Sequence, residues 1–308
     1  MKKITYPWMV CLLGVLMSLT GCSVNPLTGE KEFMLYSPEN DIKLGAKVAP
    51  DVEKELDGRI EDEALQAYID RIGQKIARVC NRPDWEYHFV AVETEMVNAM
   101  ALPGGYVFIT RGMLEKLDSE AQLAAILGHE VGHVVARDTA AALSKQAGMT
   151  ILMAAVMVAE PKAANMAQMT GQILMLSYSR QDEQQADLAG LRYMYEAGYN
   201  PEGMMETMRI LQDMQKVRPV EFFSTHPLPE NRLGYIGRHM NAWYGSDYSD
   251  RIIGKDDYEH NILDYLATHP KPKRPKAPEQ KSDPQDEQTV PGFHFQFGSS
   301  RYECLRGK

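Results

Sequence analysis

Gly128-His129-Glu130-Val131-Gly132-His133 sets two histidines four residues apart with a glutamate beside the first. On an α-helix a four-residue step turns by about 40° and climbs one turn, so both imidazoles leave the same face. Two neutral imidazoles so placed can grip one zinc ion, and Glu130 then stands on an adjoining face. From there its carboxylate could hold a water polarised by the metal and take its proton, which is the chemistry of peptide-bond hydrolysis. A catalytic zinc needs a third protein ligand and one open position. Downstream, Ser179-Arg180-Gln181-Asp182-Glu183-Gln184-Gln185-Ala186-Asp187 puts Glu183 and Asp187 on one helical face. The first could reach the metal. The second could accept the far ring N–H of a histidine ligand, His129 first, and so fix its tautomer. On spacing alone the same pair also reads as a charged, solvated helix face.

The elements that must carry these residues can be read from capping and periodicity. Ser119 with Gln122 three residues on is a capping-box start, and the spacing predicts a helix from there through both histidines to about Ala142. A second long helix is predicted from Ala164 to Ala197, stopping at Gly198, with another opening at Asn200-Pro201. Upstream, Ser37-Pro38 marks a helix start, and Leu65, Tyr68, Ile69, Ile72 and Ile76 give the three-and-four spacing of a packed helix over Glu61 to Val79. Between these, Tyr87 to Val92, Met96 to Leu102 and Tyr106 to Thr110 read as strands, with Pro103-Gly104-Gly105 turning the last two. The expected fold class is therefore α+β, mostly helical with a small antiparallel sheet. Met149, Met153 and Met157 recur every four residues, and Met166, Met169 and Met175 follow. They read first as core packing, and alternatively as an adaptable wall over a groove.

With 33 Lys plus Arg against 42 Asp plus Glu in 308 residues, the net charge is −9, which argues against a nucleic-acid partner. A content of 44% hydrophobic and 24% charged residues suits an ordinary globular chain. Lys2 and Lys3 precede an apolar run from Trp8 to Leu19 that has signal-peptide length and is too short to span a bilayer. It ends in Leu19-Thr20-Gly21-Cys22, which resembles the lipobox of bacterial lipoproteins. By that reading residues 1–21 are removed, Cys22 is acylated, and Ser23 rather than Asp after it points to the outer membrane. Cys11 leaves with the leader, so Cys80 and Cys304 remain in an oxidising compartment, either as a disulfide or with Cys80 as a small buried hydrophobe. From His269 to Pro291 six of 17 prolines fall among charged residues, the composition of a linker, and residues 246–308 are expected to form a C-terminal extension.

Four motifs in order, Asn98 to Gly105 (N-A-x-A-L-P-G-G), H-E-x-x-H, Ser179 to Asp187 (S-R-x-x-E-x-x-A-D) and Thr225-His226-Pro227 with Arg232 after it, resemble the gluzincin metallopeptidases of the HtpX and Oma type. Within them the chain is similar to the periplasmic lipoprotein branch that includes BepA and LoiP. The resemblance implies a zincin-type metallopeptidase domain over residues 22–245. It further implies one Zn2+ held by His129, His133 and Glu183, with Glu130 as catalytic base and acid and Asp187 behind a histidine ligand. It places His226 at the metal, either as a proton donor to the oxyanion or as a neutral imidazole filling the open position. The strand around Asn98 and Ala99 is implied to be an edge that pairs with an extended substrate, which gives little sequence preference. The implied function is an outer-membrane-anchored periplasmic zinc endopeptidase that cuts unfolded or misassembled envelope polypeptides. The alternative is an assembly factor for outer-membrane proteins with a mostly closed zinc site. A non-catalytic zinc-stabilised binder fits less well, since a structural zinc has no use for a base beside it. The sequence departs from the HtpX pattern in having no pair of long apolar segments, and from BepA in having no recognisable helical repeat after the motifs.

Overall fold

In the computed structural model, which describes residues 22–157, 166–217, 219–227, 229 and 231–271, the chain enters through a short antiparallel hairpin, β1 (Cys22–Val24) and β2 (Lys31–Phe33). Helix α1 (Pro38–Glu55) follows, its start fixed by the Ser37 hydroxyl, which accepts from the amide of Asn40. Asp62 caps α2 (Glu63–Ala77) in the same way, and the predicted stripe of Leu65, Tyr68, Ile69, Ile72 and Ile76 is buried. Strands β3 (His88–Val92), β4 (Ala99–Ala101) and β5 (Tyr106–Thr110) form one sheet in the order β3-β5-β4. β4 and β5 are antiparallel, as expected, joined by a turn in which Gly104 and Gly105 take φ of 77° and 102°. β3 runs parallel to β5, so the sheet is mixed rather than wholly antiparallel. Alternating apolar residues reveal a strand's faces but not its direction.

Val90, Val92, Met100 and Phe108 turn to one side of the sheet and pack with Val48 and Val52 of α1. Phe89, Ala91, Ala99, Val107 and Ile109 turn to the other, larger core, shared with α2 and with the helix that carries the histidines. After the one-turn α3 (Arg111–Leu114), that helix is α4 (Glu120–Ala136), capped by Ser119 and buried along its whole length. It stops six residues short of the predicted end. Arg137 adopts a left-handed φ of 64°, and α5 (Asp138–Met157) sets off in a new direction.

The predicted helix from Ala164 to Ala197 is likewise two helices, α6 (Met166–Leu174) and α7 (Arg180–Glu196). A full capping box between Ser179 and Asp182 opens the second. α4 and α7 approach closely because Gly128 and Gly132 face Gly190 and Ala186: a Cβ at Gly190 would lie 2.7 Å from the His129 amide nitrogen. The remaining helices are α8 (Glu202–Val217), α9 (Phe222–Thr225), α10 (Arg232–Tyr244), α11 (Lys255–Tyr258) and α12 (Asp264–Thr268), the last two joined by a π turn. Tyr258, Ile262 and Leu266 pack into the main core, so the compact unit continues past 245 to Pro270.

Of the methionines read as core, Met169 packs against the α1 side of the sheet while Met149 and Met175 are exposed. The leader, residues 1–21, and Cys304 lie outside the described residues. Cys80 is buried, its sulfur 3.3 Å from the Tyr87 hydroxyl. No helix among the described residues is long and apolar enough to cross a membrane.

Candidate active site

α4 delivers His129 and His133 to one point, their Nε2 atoms 3.1 Å apart. α7 brings Glu183 against both, Oε1 at 3.3 Å from His133 Nε2 and Oε2 at 3.5 Å from His129 Nε2. His226, the residue that ends α9, closes the group with Nδ1 at 2.8 Å from Glu183 Oε1 and 3.3 Å from His129 Nε2. All four residues are buried, and one donor atom from each lies within 4.8 Å of the others. Ligands at 2.0–2.1 Å on a tetrahedral zinc are about 3.3 Å from one another, close to the 3.1 to 3.5 Å that separates the donor atoms of His129, His133 and Glu183. Three imidazoles and a carboxylate fit zinc in chemistry as well as in spacing.

The histidines are held from behind. His129 Nδ1 stands 2.9 Å from Asp187 Oδ1, and Arg232 Nε donates to Asp187 Oδ2 at 2.7 Å. The Tyr235 hydroxyl also donates to Asp187, so that buried carboxylate serves a histidine, a guanidinium and a phenol at once. His133 Nδ1 hydrogen-bonds Asp138 Oδ2 at 2.7 Å, and the Tyr178 ring stacks on the His133 ring at 4.0 Å. With their Nδ1 atoms engaged, both histidines turn Nε2 to the centre. Burial pushes the pKa of His129 down. Burial acts the same way on His133, yet Asp138 and Glu183 outweigh it and hold that imidazole well above its usual range. Burial would raise Glu183, but the histidines around it bring its carboxyl well below the usual value. In metal-free protein the centre therefore draws a proton to His133, and a bound cation would take that proton's place.

Glu130 is buried next to this group, and neither of its carboxylate oxygens has a hydrogen-bond partner among the described residues. The nearest positively chargeable atom is His226 Nε2, 3.6 Å from Oε1. A buried, unpartnered carboxylate is costly, and its cost is explained if its partner is a reacting molecule.

The strand implied as the substrate edge is an edge of the sheet, since among the described residues β4 pairs only with β5. Asn98, Leu102 and their β5 partners make the ladder bonds, so Ala99 and Ala101 direct their backbone groups outward. Two of those groups are already engaged: the Ala99 N–H donates to Asn98 Oδ1 at 3.0 Å, and the Ala101 carbonyl accepts from Thr139 Oγ1 at 3.2 Å. The hydroxyls of Thr139 and Tyr178 are 3.0 Å apart.

The expected cluster of His129, Glu130, His133, Glu183, Asp187 and His226 is thus gathered in one place, with Asn98 and Ala99 on the neighbouring edge. Sequence reasoning missed Asp138, Tyr178 and Tyr235 and gave Arg232 no role. Tyr178 adjoins the Ser179 motif, and Arg232 and Tyr235 follow the His226 motif, which was the only signal available for them.

Two histidines from one helix and a glutamate from a second, on a mostly helical domain with a small sheet, define a zinc metallopeptidase. The profile of peptidase family M48 matches residues 63–240, and the chain belongs to that family. It is 33% identical over 199 residues to the beta-barrel assembly-enhancing protease of Escherichia coli (strain K12), a match covering 59% of this chain and 40% of that protein. With the protein of the same name from Yersinia pestis the identity is 29% over 195 residues, again 59% and 40%. With the mitochondrial metalloendopeptidase OMA1 of Schizosaccharomyces pombe it is 29% over 241 residues, 71% of this chain and 65% of that one. The chain spans 40% of the length of these bacterial relatives.

Proposed function

We propose that this chain is an endopeptidase of the bacterial envelope that cuts unfolded or misassembled polypeptides, held at the outer membrane through an acylated Cys22. The observation that carries the peptidase role is Glu130, buried without a partner beside four convergent metal donors. Zinc, when bound, polarises the scissile carbonyl and makes an attacking water more acidic. His129, His133 and Glu183 would hold the ion. Glu130 takes the proton of the attacking water and passes it to the departing amide nitrogen, since among the described residues no group hydrogen-bonds its oxygens. The edge of β4 at Asn98 and Ala99 lines up an extended substrate by backbone pairing, a mode that suits unfolded chains of any sequence. The envelope setting and the class of substrate are supported by the Leu19-Thr20-Gly21-Cys22 signature and by similarity to proteases named for β-barrel assembly.

A second reading, an assembly factor whose zinc site is closed at rest, is favoured by one observation: His226 lies fully buried with Nδ1 among the metal donors. From that position it would occupy the open coordination site. Turned outward, it would instead donate to the oxyanion. In the first case His226→Ala raises basal proteolysis, and in the second it lowers turnover by about 10²- to 10³-fold.

The test is casein digestion by the mature chain, with and without a chelator, beside Glu130→Gln. That variant is expected to keep its zinc and lose about 10²- to 10⁴-fold in turnover. Full activity in it would remove Glu130 from the mechanism.

A further inference from the structure

β1 begins at Cys22 and pairs with β2 in the register Cys22 to Phe33, Ser23 to Glu32 and Val24 to Lys31. This hairpin is tied firmly to the catalytic unit. Ser23 Oγ accepts from Arg137 at 3.0 Å, and the same buried guanidinium holds Asp41 and the Tyr36 carbonyl, each at 2.6 Å. Beyond β2, the Leu35 N–H donates to Ser144 Oγ at 2.9 Å. The Phe33 ring lies over Gly148, where a Cβ would meet it at 3.4 Å. Around this junction Val24, Phe33, Leu35 and Met149 are 53%, 37%, 41% and 60% exposed. Single exposed apolar residues are ordinary, but cross-strand register and alternation put Val24, Phe33 and Leu35 on one face of the hairpin together with the exposed Lys31, and Phe33 meets α5 at Gly148, next to Met149.

The position of that patch follows from chain geometry. Acyl chains on a cysteine thiol keep that residue at the boundary of headgroups and hydrocarbon. A strand rises about 3.3 Å per residue, so the Cα of Val24 is within about 7 Å of the Cα of Cys22. Phe33, the cross-strand partner of Cys22, is within about 5 Å. No slack separates the lipid from the fold, because Ser23 is already bonded to Arg137.

We propose that Val24, Phe33, Leu35 and Met149 form a seat in the interface of a lipid bilayer and hold the catalytic unit flush against the membrane instead of on a flexible tether. The proposal rests on the reading of Cys22 as the acylated residue. It also sets an orientation. Arg137 directly follows α4, so the metal-binding end of α4 points towards the bilayer. Glu120, whose N–H donates to the Gly254 carbonyl, stands at the other end, and the 17 residues between measure about 25 Å. Polypeptides would be met close to the lipid surface.

The test uses the acylated chain in vesicles of phosphatidylethanolamine and phosphatidylglycerol that carry lipid-attached quenchers. An environment-sensitive fluorophore is placed at Val24→Cys, Leu35→Cys or Met149→Cys, and at the exposed Asp256→Cys near Gly254 as the distant control, all with Cys304→Ser. Quenching several-fold stronger at the three seat positions than at Asp256 is the expected result. Adding Val24→Asp and Leu35→Asp to the Met149 probe should bring its quenching down to the control level while the acyl mass stays. An acylated protein with equal quenching at all positions overturns the seat and leaves the anchor standing. So does an acylated dimer whose seat probes are shielded from water but not quenched by lipid, which would make the patch an interface between copies. A chain without acyl mass overturns the anchor and the seat together.

Discussion

His129 and His133 stand one turn apart on the same helix, yet they are supported in different ways. Behind His129 lies a charged network drawn from distant parts of the chain: Asp187 from α7, then Arg232 and Tyr235 from α10. Behind His133 lies a local pair, Asp138 five residues on, with Tyr178 stacked over the ring. The first support fastens the metal helix to the rest of the fold. The second belongs to the bend at Arg137 that also holds the N-terminal hairpin and α5. The contrast makes one histidine a fixed point and leaves the other on the side where the substrate edge and the entering chain meet.

The largest test of this contrast removes the charge behind His129. Arg232→Met leaves the buried Asp187 carboxylate with only the Tyr235 hydroxyl and His129 Nδ1 as partners. Breaking such a pair from one side costs about 3–5 kcal/mol, read by urea denaturation of the metal-free chain. A loss under about 1 kcal/mol would place the pair among weak surface contacts and end the claim that this side is the anchor.

Zinc affinity should be lowered by the loss of either carboxylate, by about 10- to 100-fold each. Asp187→Asn belongs near the upper limit because it also strands Arg232, and Asp138→Asn near the lower. A competing-chelator titration ranks them. The reverse order would make the local pair the stronger support.

Proton release separates the two sides again. His133 is held well above its usual pKa and His129 below it. At neutral pH the metal-free centre therefore carries a proton on His133, and zinc must displace it. The sign follows: a group with a raised pKa keeps its proton until the pH climbs through that value, so zinc affinity should fall about tenfold per pH unit on acidification across the neutral range. Asp138→Asn, which removes a cause of the raised pKa, should flatten that slope, whereas a variant that keeps the slope would assign the proton elsewhere.

Much of the His129 side was legible because its members sit in motifs at helical spacing. Glu183 and Asp187 are four residues apart on α7, and only the partner of Asp187 was unseen, since nothing in a sequence says that Arg232 folds back onto it. The His133 side was hidden by the backbone. In a continuous helix Asp138 would leave a face about 140° away from His133, and it comes round only because Arg137 is left-handed. A non-glycine residue rarely adopts that conformation, and here its side-chain bonds to Asp41, Ser23 and the Tyr36 carbonyl hold it there. The break before α7 was readable in principle from Ser179 and Asp182. The parallel pairing of β3 and the packing of Tyr258, Ile262 and Leu266 depend on contacts far apart in sequence.

The smallest predicted effect tests what the His133 side does for substrate. Thr139 donates to the Ala101 carbonyl on the free edge of β4 while the Tyr178 hydroxyl stands 3.0 Å from it. A substrate strand that pairs with this edge must take over that carbonyl and displace the threonine, which costs about one hydrogen bond, 0.5–1.5 kcal/mol. Thr139→Val keeps the shape and removes the donor, so the edge is no longer engaged in advance. KM for an unfolded substrate should fall about two- to tenfold with kcat nearly unchanged, at a similar small loss of stability. Tyr178→Phe keeps the ring on His133 and the Tyr178 N–H bond to the Thr225 carbonyl, and removes only the hydroxyl that supports Thr139. Its effect on KM should have the same sign and be smaller, because the threonine still reaches Ala101. A raised KM in Thr139→Val would mean that substrates use Thr139 as a contact, and the edge of β4 would then have to be read as closed rather than waiting.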